Sequence, residues 1–299
     1  MVRREAGIDA TESEGTLRAT ALAPAKLNLM LAVGDKRDDG FHEVVSVMQT
    51  LDLADRVDVD LDLWGSDVID VLVEAPDVPG GDTLVTRAVE ELLRRAKVGA
   101  RVWVTIEKEI PIGGGLGGGS SDAAAALRTL NMLLGHPLGD EELHEIAAGI
   151  GSDVPFFLLG PTATAIARGR GERIERSASV PPRAWLLAFP NELQSTAEVY
   201  DLHEAELLEP LPVTDADALK LARRKRKRND LAGPARAACE ALDKLVMAFE
   251  DAGGEPLICG SGATVAVPVT SHAERRAFEG VATTAIPGCW LRVAWTTAP

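Results

Sequence analysis

Residues 111–124 read Pro111-Ile112-Gly113-Gly114-Gly115-Leu116-Gly117-Gly118-Gly119-Ser120-Ser121-Asp122-Ala123-Ala124. Before this run, Val102, Val104 and Ile106 alternate with Trp103, Thr105 and Glu107, which predicts a strand over 101–109. After it, Ala123, Leu127, Leu130 and Leu134 recur at helical spacing. The order is strand, glycine loop, helix. Glycine lets backbone N–H groups converge on a ligand and takes positive φ without steric cost. Ser120, Ser121 and Asp122 open the predicted helix, so a phosphate seated there would meet backbone donors and a positive helix end together. A Walker A loop needs Gly-Lys-Ser/Thr, which is absent. Gly113, Gly115 and Gly118 fit the dinucleotide spacing, as any glycine run would. The acidic residue that fold wants about 20 positions on is replaced by Leu133-Leu134-Gly135. The loop is therefore a nucleotide-phosphate cradle of a third type.

Working outward, residues 28–31 read as a strand with Pro24 near its entry, and Gly34 to Gly40 as a turn. Strands follow over 44–53 and 57–63, then a strand pair over 61–73 broken at Gly65-Ser66. Residues 83–96 predict a helix, with Asp82 placed to cap it. Residues 140–148 predict a short helix closed by Gly149 and Gly151, and 154–159 suits a strand or a buried helix. A composition break at 177–183 contains Pro181-Pro182. A strand over 185–189 and a long, charged helical region come next. The six consecutive basic residues Arg223 to Arg228 lie in it. A helix over 234–252 precedes a second glycine cluster, Cys259-Gly260-Ser261-Gly262-Ala263-Thr264. A strand over 265–269, a helix near 273–279 and a strand over 290–295 end the chain. Strands and helices mix without a regular βαβ rhythm, which favours α+β over a doubly wound parallel sheet.

The chain has 299 residues and a formal charge of −15. So acidic a chain is a poor general binder of nucleic acid or anionic membrane. A polyanionic ligand would need local positive charge, helix N-termini or a metal. The basic run reads as a solvated helix face, with a nucleic-acid patch as the alternative. Three widely spaced cysteines without a Cys-x-x-Cys motif argue against a disulfide framework or a structural zinc. Residues 1–15 are polar, lack an apolar signal core and read as a frayed tail; no apolar run is long enough to span a membrane. These features predict a reduced, cytoplasmic, soluble protein.

The run 111–124 resembles the central motif of the GHMP kinases. Pro24-Ala25-Lys26-Leu27-Asn28-Leu29 is similar to the family's first motif and Cys259 to Thr264 to its third. Further stretches resemble the branch that acts on 4-diphosphocytidyl-2-C-methyl-D-erythritol. They are Gly40-Phe41-His42-Glu43, Gly151-Ser152-Asp153-Val154-Pro155, Gly169-Arg170-Gly171-Glu172 and Asn229-Asp230-Leu231. Phe41 stands where that branch usually has Tyr, and Thr83 where it usually has Asn.

The resemblance implies a two-domain α+β GHMP fold, divided as 1–178 and 179–299, with the active site in the interdomain cleft. It implies an ATP-dependent small-molecule kinase using Mg2+ that phosphorylates the tertiary C2 hydroxyl of the erythritol moiety. A homoserine or mevalonate type of GHMP kinase, or a nucleotide binder without turnover, is the alternative. Asp153 is then the general base, and Lys26 orients it and eases loss of the hydroxyl proton. Asn28 shares a strand face with Lys26 and is assigned to the substrate. Phe41 and His42 take the cytosine ring, and Tyr200, the only tyrosine, follows a segment expected near the cytidine. Pro111, Gly113 to Gly119, Leu116 among them, Ser120 and Ser121 would hold ATP. Ser121 would reach a magnesium ion or a phosphate, or simply cap the helix. Lys108 would contact the nucleotide or lie at the surface. Gly260, Ser261 and Gly262 would bring a second set of donors to the substrate phosphates, or close the site. Partners would be small molecules, with the chain a monomer or a weak dimer.

Overall fold

A computed structural model describes every residue except 1–3, 6, 14, 64–66, 80, 178–179, 204–209 and 298–299. The first elements are β1 (Arg4–Glu5), β2 (Ile8–Ser13), β3 (Thr16–Lys36), β4 (His42–Leu63), β5 (Ile69–Glu74), α1 (Thr83–Ala96) and β6 (Ala100–Glu107). Next come α2 (Gly118–Leu133), α3 (Asp140–Ile150), α4 (Val154–Phe157), β7 (Thr164–Gly169), β8 (Arg173–Arg176) and β9 (Ala184–Phe189). Then follow α5 (Thr196–Asp201), α6 (Asp215–Ala222), α7 (Ala232–Ala238) and α8 (Glu240–Asp251). The last are β10 (Leu257–Ile258), β11 (Val265–Val269), α9 (His272–Ala285) and β12 (Trp290–Trp295).

The chain divides into two compact units. Unit 1 is Met1–Ala25, Leu53–Ile110 and Gly117–Pro161; unit 2 is Lys26–Asp52, Pro111–Leu116 and Thr162–Pro299. Each is assembled from separated segments, because β3, β4 and the glycine loop all run from one unit into the other. The expected boundary at Ala178 lies outside the described residues.

In unit 1 the strand order is β1-β2-β3-β4-β6-β5, with β5 parallel to β6. Val57, Val59 and Leu61 of β4 and Val102, Val104 and Ile106 of β6 are buried, as period-two alternation requires. Residues 8–13 of the polar N-terminal stretch form a strand and not a frayed tail. Residues 8–13 pair antiparallel with 16–21, and Ile8 and Ala10 are buried. α1 spans the predicted 83–96 and buries Val85, Ala88, Val89, Leu92 and Leu93. Residues 154–157, open to either reading, are helical. The expected break at Gly65-Ser66 lies outside the described residues.

In unit 2, β4 pairs antiparallel with β7, and β7 with β8. A second sheet runs β10-β11-β9-β12, all antiparallel. Its core joins Leu186 and Ala188 of β9, Val265 and Val267 of β11, and Leu242, Leu245 and Phe249 of α8. Phe249 meets Phe278 of α9 edge-on at 5.8 Å. Among the described residues the predicted helical region after β9 holds α5 and α6, and the basic run lies beyond the end of α6, not on a helix face. The predicted helix over 234–252 breaks at Cys239 into α7 and α8. Among the described residues no helix is long and apolar enough to cross a membrane.

Asp82 Oδ1 accepts from the N–H groups of Leu84 and Val85 at 2.9 and 3.0 Å. Asp82→Ala should lower the unfolding free energy by about 1 kcal/mol, read from the urea midpoint. An unchanged midpoint would show that the cap contributes nothing.

Candidate functional site

Lys26 and Asn28 leave Pro24 on alternate positions of β3, so they share one face. Both are buried. Lys26 Nζ donates to Asn28 Oδ1 at 2.6 Å, Asn28 Nδ2 to Ser46 Oγ at 2.9 Å, and Ser46 Oγ to the Met30 carbonyl at 2.8 Å. The chain of bonds holds the ammonium and the amide in one orientation. Main-chain bonds bring two remote segments to this strand. The Lys26 N–H donates to the Leu116 carbonyl at 2.9 Å, and the Thr264 N–H to the Gly114 carbonyl at 3.2 Å. A Cβ on Gly260 would lie 3.3 Å from Lys26 Nζ and 3.4 Å from Asn28 Oδ1. The predicted residues Lys26, Asn28, Gly113 to Leu116 and Gly260 to Gly262 thus lie together in unit 2. Ser261 Oγ is 3.0 Å from Thr196 Oγ1. Asn229 Nδ2 donates to the carbonyls of Ile258 and Gly260, both at 2.8 Å, and so fixes the turn. Burial beside this turn pushes the Cys259 thiol up to about 12, so it stays protonated.

His42, also in unit 2, lies 5.3 Å from the Tyr200 ring and 5.7 Å from His203. Burial, then the charges of His203 and Lys36, lower its pKa, which favours the neutral imidazole with one donor and one acceptor nitrogen. Phe41 is exposed, with the Arg170 guanidinium 4.9 Å over its ring.

In unit 1, α2 begins at Gly118, two residues earlier than the sequence suggests. Its N-cap, Gly117, takes φ 77° and supplies no side-chain cap. Ser121 sits inside the first turn, donating its N–H to the Gly117 carbonyl at 2.9 Å, so it is not the cap. Its hydroxyl is buried without a hydrogen-bond partner. Beneath the turn, Lys108 Nζ lies 2.5 Å from both Asp55 Oδ2 and Asp122 Oδ2. Asp55 Oδ1 also accepts from the N–H groups of Glu109 and Ile110 at 2.6 and 2.8 Å. Lys108 is therefore neither a surface lysine nor an uncommitted cation; a Cβ on Gly118 would be 3.2 Å from its Nζ. Burial pushes the Asp122 carboxyl up to about 8, against the pull of Lys108. Asp153 is the N-cap residue of α4, yet its carboxylate makes no capping bond there.

A family model for the GHMP kinase N-terminal domain matches residues 83–161. A solved 4-(cytidine 5'-diphospho)-2C-methyl-D-erythritol kinase superposes with a TM-score of 0.74 at 33% identity, covering 93% of this chain and all of that one. The chain belongs to this kinase family. A relative of the same name from Pelotomaculum thermopropionicum is 48% identical over 182 residues, 60% of this chain and 62% of the relative. One from Bacillus cereus is 48% identical over 60% of this chain and 61% of the relative. The matched segment thus spans under two thirds of these relatives. A homoserine kinase structure from Cytophaga hutchinsonii, at 14% identity and a TM-score of 0.64, shares the fold.

Sequence reasoning assigned no role to Ser46 and Thr264 of unit 2 or to Asp55 and Asp122 of unit 1. Asp55 carried a signal, because it falls on the inward phase of β4 with Leu53, Val57 and Val59, where a lone carboxylate needs a partner. Asp122 is hidden by its Ala-rich surroundings. Ser46 looks like any strand serine.

Two predictions follow from this geometry. A Cβ on Gly115, at φ 74°, would lie 2.0 Å from the Cys259 carbonyl oxygen; on Gly119 its nearest neighbour is Leu84 Cδ1 at 3.5 Å. Gly115→Ala should destabilise by about 2 kcal/mol or more, and Gly119→Ala by less than about 1 kcal/mol, in denaturant titrations. Equal effects would contradict the close approach. The folded chain holds the Asp122 proton to about pH 8, whereas the unfolded chain releases it near 3.8. Between those values folding takes up a proton, so this group's contribution weakens as pH rises. The stability of Asp122→Asn relative to the parent should therefore increase from pH 5 to about pH 8; a flat difference would refute the raised pKa.

Proposed function

We propose that the chain transfers the γ-phosphoryl group of ATP to the C2 hydroxyl of 4-diphosphocytidyl-2-C-methyl-D-erythritol. The observation that carries this reading is the start of α2, a sixteen-residue helix that opens from a glycine loop with no side-chain cap. Its first-turn N–H groups are left for an anion, and the helix dipole adds to their pull. Pro111 and Gly113 to Gly119, with Ser120 and Ser121, would hold the ATP phosphates, and Lys108 would support that loop from below. Phosphoryl transfer needs in-line positioning and charge neutralisation more than covalent chemistry.

Asp153 would take the hydroxyl proton, the role that the resemblance of its Gly-Ser-Asp stretch to the family implies. Lys26, held by Asn28, would stabilise the charge that develops as that proton leaves. Asn28 would orient the acceptor, and Gly260, Ser261 and Gly262 would present donors to the substrate diphosphate. A neutral His42 offers the donor and acceptor that a cytosine edge requires. Phe41 and Tyr200 offer flat faces to the ring. Mg2+ fits the partnerless Ser121 hydroxyl. Among the described residues no group of three or more acidic, His or Cys side chains could hold a metal, so the ion would sit mainly on phosphate oxygens. When bound it neutralises charge on the β- and γ-phosphates.

The test is an ADP-release assay with MgATP and, separately, the cytidyl substrate, homoserine and mevalonate. Turnover with the cytidyl substrate alone is expected. Asp153→Asn should lower kcat by about a hundredfold or more. Turnover with homoserine or mevalonate would overturn the substrate assignment. Tight ATP binding without any turnover would make the chain a nucleotide binder.

A further inference from the structure

The ladder between β4 and β6 ends at the pair Arg56 and Glu107. Beyond it the chain leaves the sheet for the glycine loop, and its next N–H groups lose their strand partner. The Asp55 carboxylate takes that partner's place. Its Oδ1 accepts from the N–H groups of Glu109 and Ile110 at 2.6 and 2.8 Å. Its Oδ2 accepts from Lys108 Nζ at 2.5 Å. The same ammonium donates to Oδ2 of Asp122, on α2, at 2.5 Å. One side chain thus ties the entry of the glycine loop to its exit, and both ends belong to unit 1.

The tie lies directly against the start of that helix. A Cβ on Gly118 would stand 3.2 Å from Lys108 Nζ, 3.2 Å from Ile110 Cγ2 and 3.4 Å from Asp55 Oδ2. The Lys108 side chain is 7% exposed, and both carboxylates are fully buried. The ammonium is therefore enclosed by its two acids and is not presented to a phosphate. Apolar side chains of similar volume would fill such a space at no greater cost. Directed bonds do what apolar packing cannot, because they fix where the first N–H groups of α2 stand and point. Phosphoryl transfer depends on that placement, since a shift of about 1 Å in a positioning group can cost about a hundredfold in rate.

Resting on the phosphate site proposed above at the start of α2, we propose that Asp55 and Asp122 are positioning residues for the phosphates of ATP. They act through Lys108, which serves as a tie and not as a phosphate ligand. Position and charge give opposite signs here. If the two acids acted only through their charge, removing either would relieve repulsion on a phosphate and tighten binding. Because they position the helix start, removing either weakens it.

The test is a calorimetric titration of the full chain with a non-hydrolysable ATP analogue and Mg2+, with the urea midpoint measured on each variant. Asp55→Asn keeps an oxygen for the two main-chain donors and turns an amide NH2 towards Lys108. Asp122→Ala removes the other arm and suits a helix, where alanine has the highest propensity. Each should raise the Kd for the analogue about tenfold or more. Asp122→Asn keeps an oxygen that accepts from Lys108 and should restore the parent Kd. An unchanged or lower Kd in Asp55→Asn and Asp122→Ala, whatever the urea midpoint does, would leave the acids a structural or purely electrostatic role and overturn the proposal. A Kd raised equally in Asp122→Asn and Asp122→Ala would overturn the tie through Lys108. A parent chain that does not bind the analogue would overturn the phosphate site itself, and the positioning role with it.

Discussion

The contact on which unit 2 is organised is between two backbones. Gly115 approaches the Cys259 carbonyl so closely that a Cβ there would stand 2.0 Å from its oxygen and 2.7 Å from that of Gly262. The Gly114 carbonyl accepts from Thr264, and the Leu116 carbonyl from Lys26. Three segments distant in sequence are thereby joined through main-chain atoms, which any side chain would hold apart. This is why the first half of the glycine loop and the turn at 259–264 are both rich in glycine. Glycine costs conformational entropy on folding, and here the return is the fixed approach of Lys26, Asn28 and Gly260.

Unit 1 meets a different constraint. Two carboxylates and one lysine are enclosed beneath the start of α2, with Asp55 and Asp122 both fully buried. Isolated buried charges are expensive, and three of them survive only with short, well-directed bonds. Asp55 has these, accepting two backbone N–H groups as well as Lys108. Asp122 accepts from Lys108 through Oδ2, and its buried Oδ1 has no partner among the described residues. Burial therefore raises the Asp122 pKa and favours its protonated form.

What could be read in advance follows from which interactions are local. Helix 83–96 was legible because its apolar face and its cap are both encoded within a few residues. The order of the three motifs was legible because glycine runs have few other uses. The basic run misled, because like charges in sequence suggest a solvated helix, whereas α6 stops at Ala222. There Lys227 folds back onto the Ala222 and Arg224 carbonyls. The break between α7 and α8 was hidden by its cap, since Cys239 Sγ accepts from the Leu242 N–H, and cysteine is not a usual capping residue. At the N-terminus the acidic residues concealed the alternation of Ile8 and Ala10, which becomes meaningful only against β3. Asp55 and Asp122 were invisible as a pair because they lie 67 positions apart and meet through Lys108.

The overall charge of −15 makes the start of α2 an odd place for an anion until the local terms are separated. Lys108 adds no net attraction there, because it faces two acids. With both ionised, the group would carry a charge of −1 within a few ångströms of Gly118 and repel a phosphate. With the proton retained on Asp122, Asp55 and Lys108 cancel and the group is neutral. The attraction is then left to the uncapped N–H groups of the first turn and to the helix dipole, whose sum is about half a positive charge. Such fixed dipoles serve an acidic protein better than surface lysines would. They need no counter-charge, and they act at short range, where the screening that weakens exposed charges has little effect.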